Sequence, residues 1–186
     1  LSPYKKTIFL DTDTFICDSI MHMFNILSFN DIIICPDYAE NSKIEVDGIE
    51  LLGYTPYNTG VIGFVQSEKF NIFVNDWLVA FKQNLEQYRG HQPAFVIALL
   101  HNPIKLYALP SVYNFRFRQF TSINHGNVKI LHGRHPDLPA VVKKVNALKS
   151  HRAWNPNKWT LESWENPSKI KVLRDVVFLL KQLLTL

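Results

Sequence analysis

From Ser67 to Leu85 apolar residues recur at a spacing of three and four, with Phe70, Phe73, Val74, Trp77, Phe81 and Leu85 along one face. That period predicts an amphipathic helix, and Ser67 stands where an N-cap hydroxyl would close its first turn. A helix with one apolar stripe must bury it against a second layer. Flanking runs supply that layer: IFLD at 8–11, DIIICPD at 31–37 and YNTGVIGF at 57–64 before it, IKLYALP at 104–110 and VKILHG at 128–133 after it, all read as strands. Between them stand further helical patterns. Asp18 or Ser19 can cap a short helix carrying Ile20, Phe24 and Leu27. Pro93 opens AFVIALLH, which is apolar nearly all round, and DLPAVVKKVNALK keeps a helical period. Strands alternating with helices predict an α/β layer fold.

The chain of 186 residues is 47% hydrophobic, enough for a sizeable core. The pattern divides it into a main α/β domain over 1–150 and an appendage over 151–186. In the appendage a Trp-spaced loop, SHRAWNPNKWTLESWENPSK, leads to a C-terminal helix, VLRDVVFLLKQLLTL. Residues 41–56 are polar and turn-rich, an excursion in which DGIELLGY can form a hairpin arm. Net charge is +4 with a pI near 9.0, and the basic residues are scattered, which favours an anionic partner without specifying nucleic acid. Cys17 and Cys35 are too few for a disulfide framework and read as buried thiols. No apolar run reaches the length of a membrane span. The opening LSPYKKT has neither a starting Met nor a signal-peptide core, and the expected compartment is the cytoplasm, with the Golgi lumen open if an anchor precedes this sequence.

The stretch IFLDTDTF ends in two carboxylates one residue apart. If the strand runs through them, Asp11 and Asp13 share one face, about 6.6 Å apart at ~3.3 Å per residue. Unpaired they repel, whereas a hard divalent cation with oxygen ligands at ~2.0 to 2.1 Å turns that repulsion into attraction. A strand end followed by a helix cap is the competing reading, and on this stretch alone the two are even.

Three other places join a permissive backbone to polar side chains. Asn58, Thr59 and Gly60 form NTG, where Gly allows close approach and Asn offers a donor and an acceptor; alone, it reads as a turn into a strand. GHQP places His91 and Gln92 at the entry of a buried helix. NHGNVKILHGRHP gathers His125, His132 and His135 with Gly126, Gly133 and Arg134, with no cysteine to make a zinc box. Mixed Asp and His ligation suits manganese or magnesium, and arginine suits phosphate oxygens.

In order, SPYKKTIFLDTDTFICDSIMHMFNIL, YNTGVIGF, the Trp77 helix, HQPAF, LPSVYNFRF and VKILHGRHP resemble the nucleotide-sugar glycosyltransferases of the GT-A fold, especially the glycogenin-like (family 8-related) retaining enzymes. The resemblance covers residues 3 to about 137. It implies a metal-dependent hexosyltransferase that moves a sugar from a nucleotide-diphospho-sugar, UDP-linked, to a carbohydrate or glycosylated acceptor, with retention. It implies a GT-A-like mixed sheet flanked by helices and Mn2+ or Mg2+ on Asp11, Asp13 and His132. Thr59 and Gly60 would lie along the donor, with Asn58 beside the sugar. Gly133 and Arg134 stand in place of the glycine-x-lysine phosphate clamp. Gln92 matches the second member of an Asp-Gln pair whose first member is here His91, so a carboxylate is missing beside the reacting sugar. The half that precedes the metal motif in that family has no counterpart here, and the expectation is that a nucleotide-binding half lies upstream.

Two other readings stand beside it. A haloacid-dehalogenase-type phosphatase also has D-x-D at a strand end, but Phe15 stands where such enzymes carry Thr or Val. A basic module could stack single-stranded nucleic acid on Phe115, Phe117 and Phe120 between Arg116 and Arg118. Strand alternation instead sends Phe115 and Phe117 into the core, so no nucleic-acid partner is expected.

Overall fold

The computed structural model describes residues 2–37, 43–88 and 90–163. In chain order its strands and helices are β1 (Lys6–Leu10), β2 (Thr14–Ile16), α1 (Met21–Ile26), β3 (Ile32–Pro36), β4 (Lys43–Val46), β5 (Ile49–Leu52), β6 (Tyr57–Val65), α2 (Glu68–Gln83), α3 (Gln92–His101), β7 (Leu106–Ala108), β8 (Phe115–Arg116), β9 (Thr121–Ile123), β10 (Ile130–His132), α4 (Leu138–Val145), β11 (Arg152–Asn155) and β12 (Thr160–Ser163). The architecture is mixed α/β. A four-stranded sheet has the order β1-β6-β3-β7, and two three-stranded sheets have the orders β2-β10-β8 and β12-β11-β9. Among the described residues only β3–β7 and β8–β10 pair in parallel. β1, at the edge of the first sheet, runs antiparallel to β6. The excursion at 43–52 is the β4–β5 hairpin, turning through Asp47 and Gly48 at positive φ.

The predicted long helix is α2. Ser67 is extended and its Oγ accepts from the Phe70 N–H at 3.1 Å, one of the helix's otherwise unpaired first-turn donors. Its stripe meets the short helix α3, which is apolar on all sides because it lies between α2 and the sheet. Phe70, Phe73, Ala94 and Phe95 close this first core over Ile32, Ile34 and Ile62. Leu85 lies beyond the end of α2 and is exposed, so the stripe stops one turn earlier than the spacing suggested. The N-cap position of α1 is Ile20, which has no side-chain cap, while Ser19 Oγ one residue before it accepts from the Met21 N–H at 3.5 Å. Asp18 instead faces Lys129 at 2.7 Å.

The other face of the sheet is covered by α1, with Met23 and Leu27 against Ile33, Val61 and Ile130. A third core surrounds Phe115, Phe117, Leu131, Val141 and Trp154. The described part of the Trp-spaced segment read as a loop is the hairpin β11–β12, with β9 as its third strand, and the rest of it lies outside the described residues. Trp154 is buried, and its Nε1 donates to the Phe117 carbonyl at 2.6 Å. Arg152 is also fully buried, and burial lowers its pKa; its guanidinium donates to the carbonyls of Val145, Ser150 and Gly126. One of those carbonyls ends α4, where a cation also meets the negative end of the helix dipole. The expected C-terminal helix lies outside the described residues. Among the described residues no helix is long and apolar enough to cross a membrane.

Candidate metal centre

Asp11 and Asp13 do not continue β1. The chain breaks after Leu10 and turns, with the Thr14 N–H and Thr14 Oγ1 both donating to the Asp11 carbonyl, at 3.1 and 2.8 Å. The alternation argument that put the two carboxylates on one strand face therefore fails, yet they converge. Backbone contacts explain why. The Asp11 N–H donates to the Gly60 carbonyl at 2.8 Å, which holds Asp11 beside β6. The Gly133 N–H donates to the Asp13 carbonyl at 2.8 Å, and β2 pairs with β10 so that Thr14 opposes His132. The turn thus delivers both side chains to the imidazole at the end of β10.

His132 Nε2 lies 3.3 Å from Asp13 Oδ1 and 3.7 Å from Asp11 Oδ2. One ligating atom from each of the three residues falls within 4.8 Å of the others. Two carboxylates and an imidazole form a donor set that suits Mn2+ or Mg2+. The cluster is close against β6: a Cβ on Gly60 would sit 2.3 Å from His132 Cε1 and 2.8 Å from Asp11 Oδ2. Glycine here makes room for the side chains of His132 and Asp11. The local register helps, because β3 pairs Ile34 with Ile62 and next Cys35 with Asn58, passing over residues 59–61.

The remaining site candidates separate by location. Gly133 and Arg134 line a cleft of about 400 Å³ with Asp13, His132, Arg116, Arg118 and Gln119. Arg116 is committed to Asp37 at 2.7 and 2.8 Å, and Arg118 donates to the Arg134 carbonyl at 2.6 Å. Thr59 and His91 lie on the other side of β6, where Thr59 Oγ1 and His91 Nε2 share a hydrogen bond of 2.6 Å. They edge a second cavity of about 340 Å³, walled by aromatic rings such as Phe9, Phe64, Phe73 and Trp77, with Asp11 at its rim. Gln92 starts α3, half-buried, and its side chain is not held to the cluster by any hydrogen bond among the described residues. Asn58 is 4% exposed and faces inward, bonded to Gly60, Asp37 and Asn114.

Of the three clustered histidines only His132 joins the carboxylates. His125 is exposed, and the His135 ring rests on Phe117 and Trp159. Phe115 and Phe117 are fully buried, so the interleaved aromatics are core and do not form a stacking platform. Sequence reasoning missed Asn114, which lies 2.8 Å from His132 Nδ1 and is 5% exposed. The available signal was a lone amide between Tyr113 and Phe115, since a buried polar side chain demands a partner.

Fold and site together define a mixed α/β protein with a carboxylate–imidazole cluster where strand ends meet. No known family model matches the chain, and no curated protein matches it. Among solved structures it is similar to an active-site mutant of the glycosyltransferase LgtC, at 17% identity and a TM-score of 0.48, over 73% of this chain and 55% of that one. The chain thus spans about half the length of that structure.

Proposed function

We propose that the protein is a metal-dependent glycosyltransferase of GT-A type, moving a sugar from a nucleotide-diphospho-sugar to a carbohydrate or glycosylated acceptor with retention. One observation carries the reading: Asp11 and Asp13, together with His132 far from them in sequence, all singled out by motif order, have potential ligating atoms within 4.8 Å of one another.

Asp11, Asp13 and His132 would hold Mn2+ or Mg2+, whose chemistry there is to neutralise charge on a departing diphosphate. The chain's own groups support the same task. Arg134 and Arg118 border the cleft that opens from Asp13 and His132, and their N–H groups are suited to phosphate oxygens. Arg134 replaces the lysine of the resembled clamp and can bind two oxygens at once. On the far side of β6, Thr59 and His91 are, with Asp11, the polar residues lining an otherwise apolar cavity. They are the groups placed to orient the sugar, and Asn58 acts behind them rather than on it.

The test is a thermal-shift screen of nucleotide sugars with and without Mn2+ on the intact chain. Stabilisation by a UDP-sugar that requires the metal supports the reading. Equal shifts with and without metal, or none, would rule it out.

A further inference from the structure

We propose that Asn58 and Asn114 are positioning residues, a hydrogen-bond relay that fixes the proton of neutral His132 on Nδ1 and leaves the Nε2 lone pair facing Asp11 and Asp13. The purpose of the relay rests on the metal reading above; its geometry does not.

The relay starts from two groups whose polarity is fixed. Asp37 is nearly buried, and Arg116 Nη1 lies 2.7 and 2.8 Å from its two oxygens, so its ionised carboxylate can only accept. The Gly60 N–H can only donate. Asn58 spans both: its Nδ2 donates to Asp37 Oδ2 at 3.2 Å and its Oδ1 accepts from the Gly60 N–H at 3.0 Å. The reversed amide would set oxygen against oxygen and N–H against N–H, so the orientation of Asn58 is determined.

That orientation passes on. Asn58 Oδ1 lies 2.8 Å from Asn114, and an oxygen there requires the Nδ2 of Asn114. The other end of Asn114 is then Oδ1, which cannot donate, and it lies 2.8 Å from His132 Nδ1. Nδ1 must therefore carry the proton. With the two asparagines 4% and 5% exposed, water has little room to substitute for either partner.

The consequence concerns Nε2, 3.3 Å and 3.7 Å from the two carboxylates. Left alone, those carboxylates would draw the proton of a neutral ring onto Nε2, and the cluster would face an N–H instead of a lone pair. The relay opposes this. Metal-ligating histidines are generally oriented by an acceptor on their other nitrogen, and losing that partner costs ~10–100-fold in affinity. Here the acceptor is a neutral amide whose own orientation is set two residues away.

The experiment is 15N NMR of histidine-labelled intact protein at alkaline pH, together with Mn2+ titration of wild type and Asn114→Leu. In wild type the His132 proton is expected on Nδ1. In Asn114→Leu it should move to Nε2, and Mn2+ affinity should fall by ~10–100-fold. Asn114→Ala should show the same change of tautomer if the leucine variant does not fold. A wild-type proton on Nε2, or a leucine variant that keeps both the Nδ1 proton and full Mn2+ affinity, would overturn the relay. A wild-type Nδ1 proton without any Mn2+ binding would uphold the relay and defeat the metal reading, so the two can fail separately.

Discussion

The two faces of β6 at residues 58–60 behave differently. On one face Asn58 and Gly60 meet a closed polar system running from Arg116 and Asp37 through Asn114 to His132, with contacts of 2.7 to 3.4 Å. On the other, Thr59 and His91 are the polar edge of an open cavity walled by aromatic rings. A strand alternates its side chains between faces, so a single tripeptide can serve both. The closed face fixes atoms in place; the open face supplies volume. A ligating cluster needs the first property, because buried polar groups gain order only when all their partners are present.

Substitutions on each face should break this contrast in opposite ways. The largest effect on stability belongs to the open side. Phe73 is fully buried beneath the cavity, between Phe70, Trp77 and Phe95, and Phe73→Ala should cost ~3–5 kcal/mol in chemical denaturation. Mn2+ affinity measured well below the transition should hold, because none of the ligands touches that ring.

On the closed side, Gly60→Ala should do the reverse. The added methyl collides with His132 and Asp11, an overpacking expected to cost ~1–3 kcal/mol, and Mn2+ binding should be lost at concentrations that saturate the wild type. Calorimetric titration compares the two variants directly. If Gly60→Ala binds Mn2+ normally, the ligands do not depend on their contact with β6.

Trp77 separates the faces more finely. The helical spacing marked it as core, yet it is only half-buried, lies along the cavity and donates from Nε1 to the His91 carbonyl at 2.9 Å. Trp77→Ala should therefore cost less than Phe73→Ala, ~2 kcal/mol. Because the Trp77 contact holds the backbone of His91, sugar-nucleotide binding should weaken more than Mn2+ binding. A full core penalty with unchanged ligand binding would return Trp77 to the interior.

The smallest effect lies away from both faces. Lys129, by hydrogen bonding to Asp18, holds that carboxyl down at about 2, below its ordinary value of 3.8. Stabilisation from a depressed carboxylate is present above the unfolded value and is lost as pH falls from about 4 to about 2. The pair is partly exposed, so its worth is under ~1 kcal/mol. Asp18→Asn should lower stability by that small amount near neutrality, flatten the acid limb of the stability curve between about pH 4 and 2, and converge with the wild type below it.

What could be read from the sequence divides along the same line. Elements carried by period were legible: Ser67 and the α2 stripe, the apolar strands β3 and β6, and the burial of Phe115 and Phe117 all follow from local pattern. That Asp11, Asp13 and His132 come together was legible through the order of motifs, although strand alternation is not what joins them. Asp11 and Asp13 meet through a turn closed locally by Thr14 and held by Gly60 and Gly133, and these last two are contacts between segments distant in sequence. Asn114 and Asp37 escaped notice because a relay is defined by orientation, which no spacing encodes. The hairpin β11–β12 was hidden by its Asn, Pro and Lys content, while Trp154 and Arg152 owe their burial to partners in β9, α4 and the chain around Gly126.

The central claim is that Asp11, Asp13 and His132 form one metal site. It is tested most directly by Mn2+ electron paramagnetic resonance on the intact wild-type chain and on Asp13→Asn, with circular dichroism confirming that both are folded. The expected result is bound Mn2+ at one ion per chain in the wild type, and only the free-ion spectrum in Asp13→Asn at the same concentrations. Equal binding by the two proteins, or none by the wild type, would contradict it.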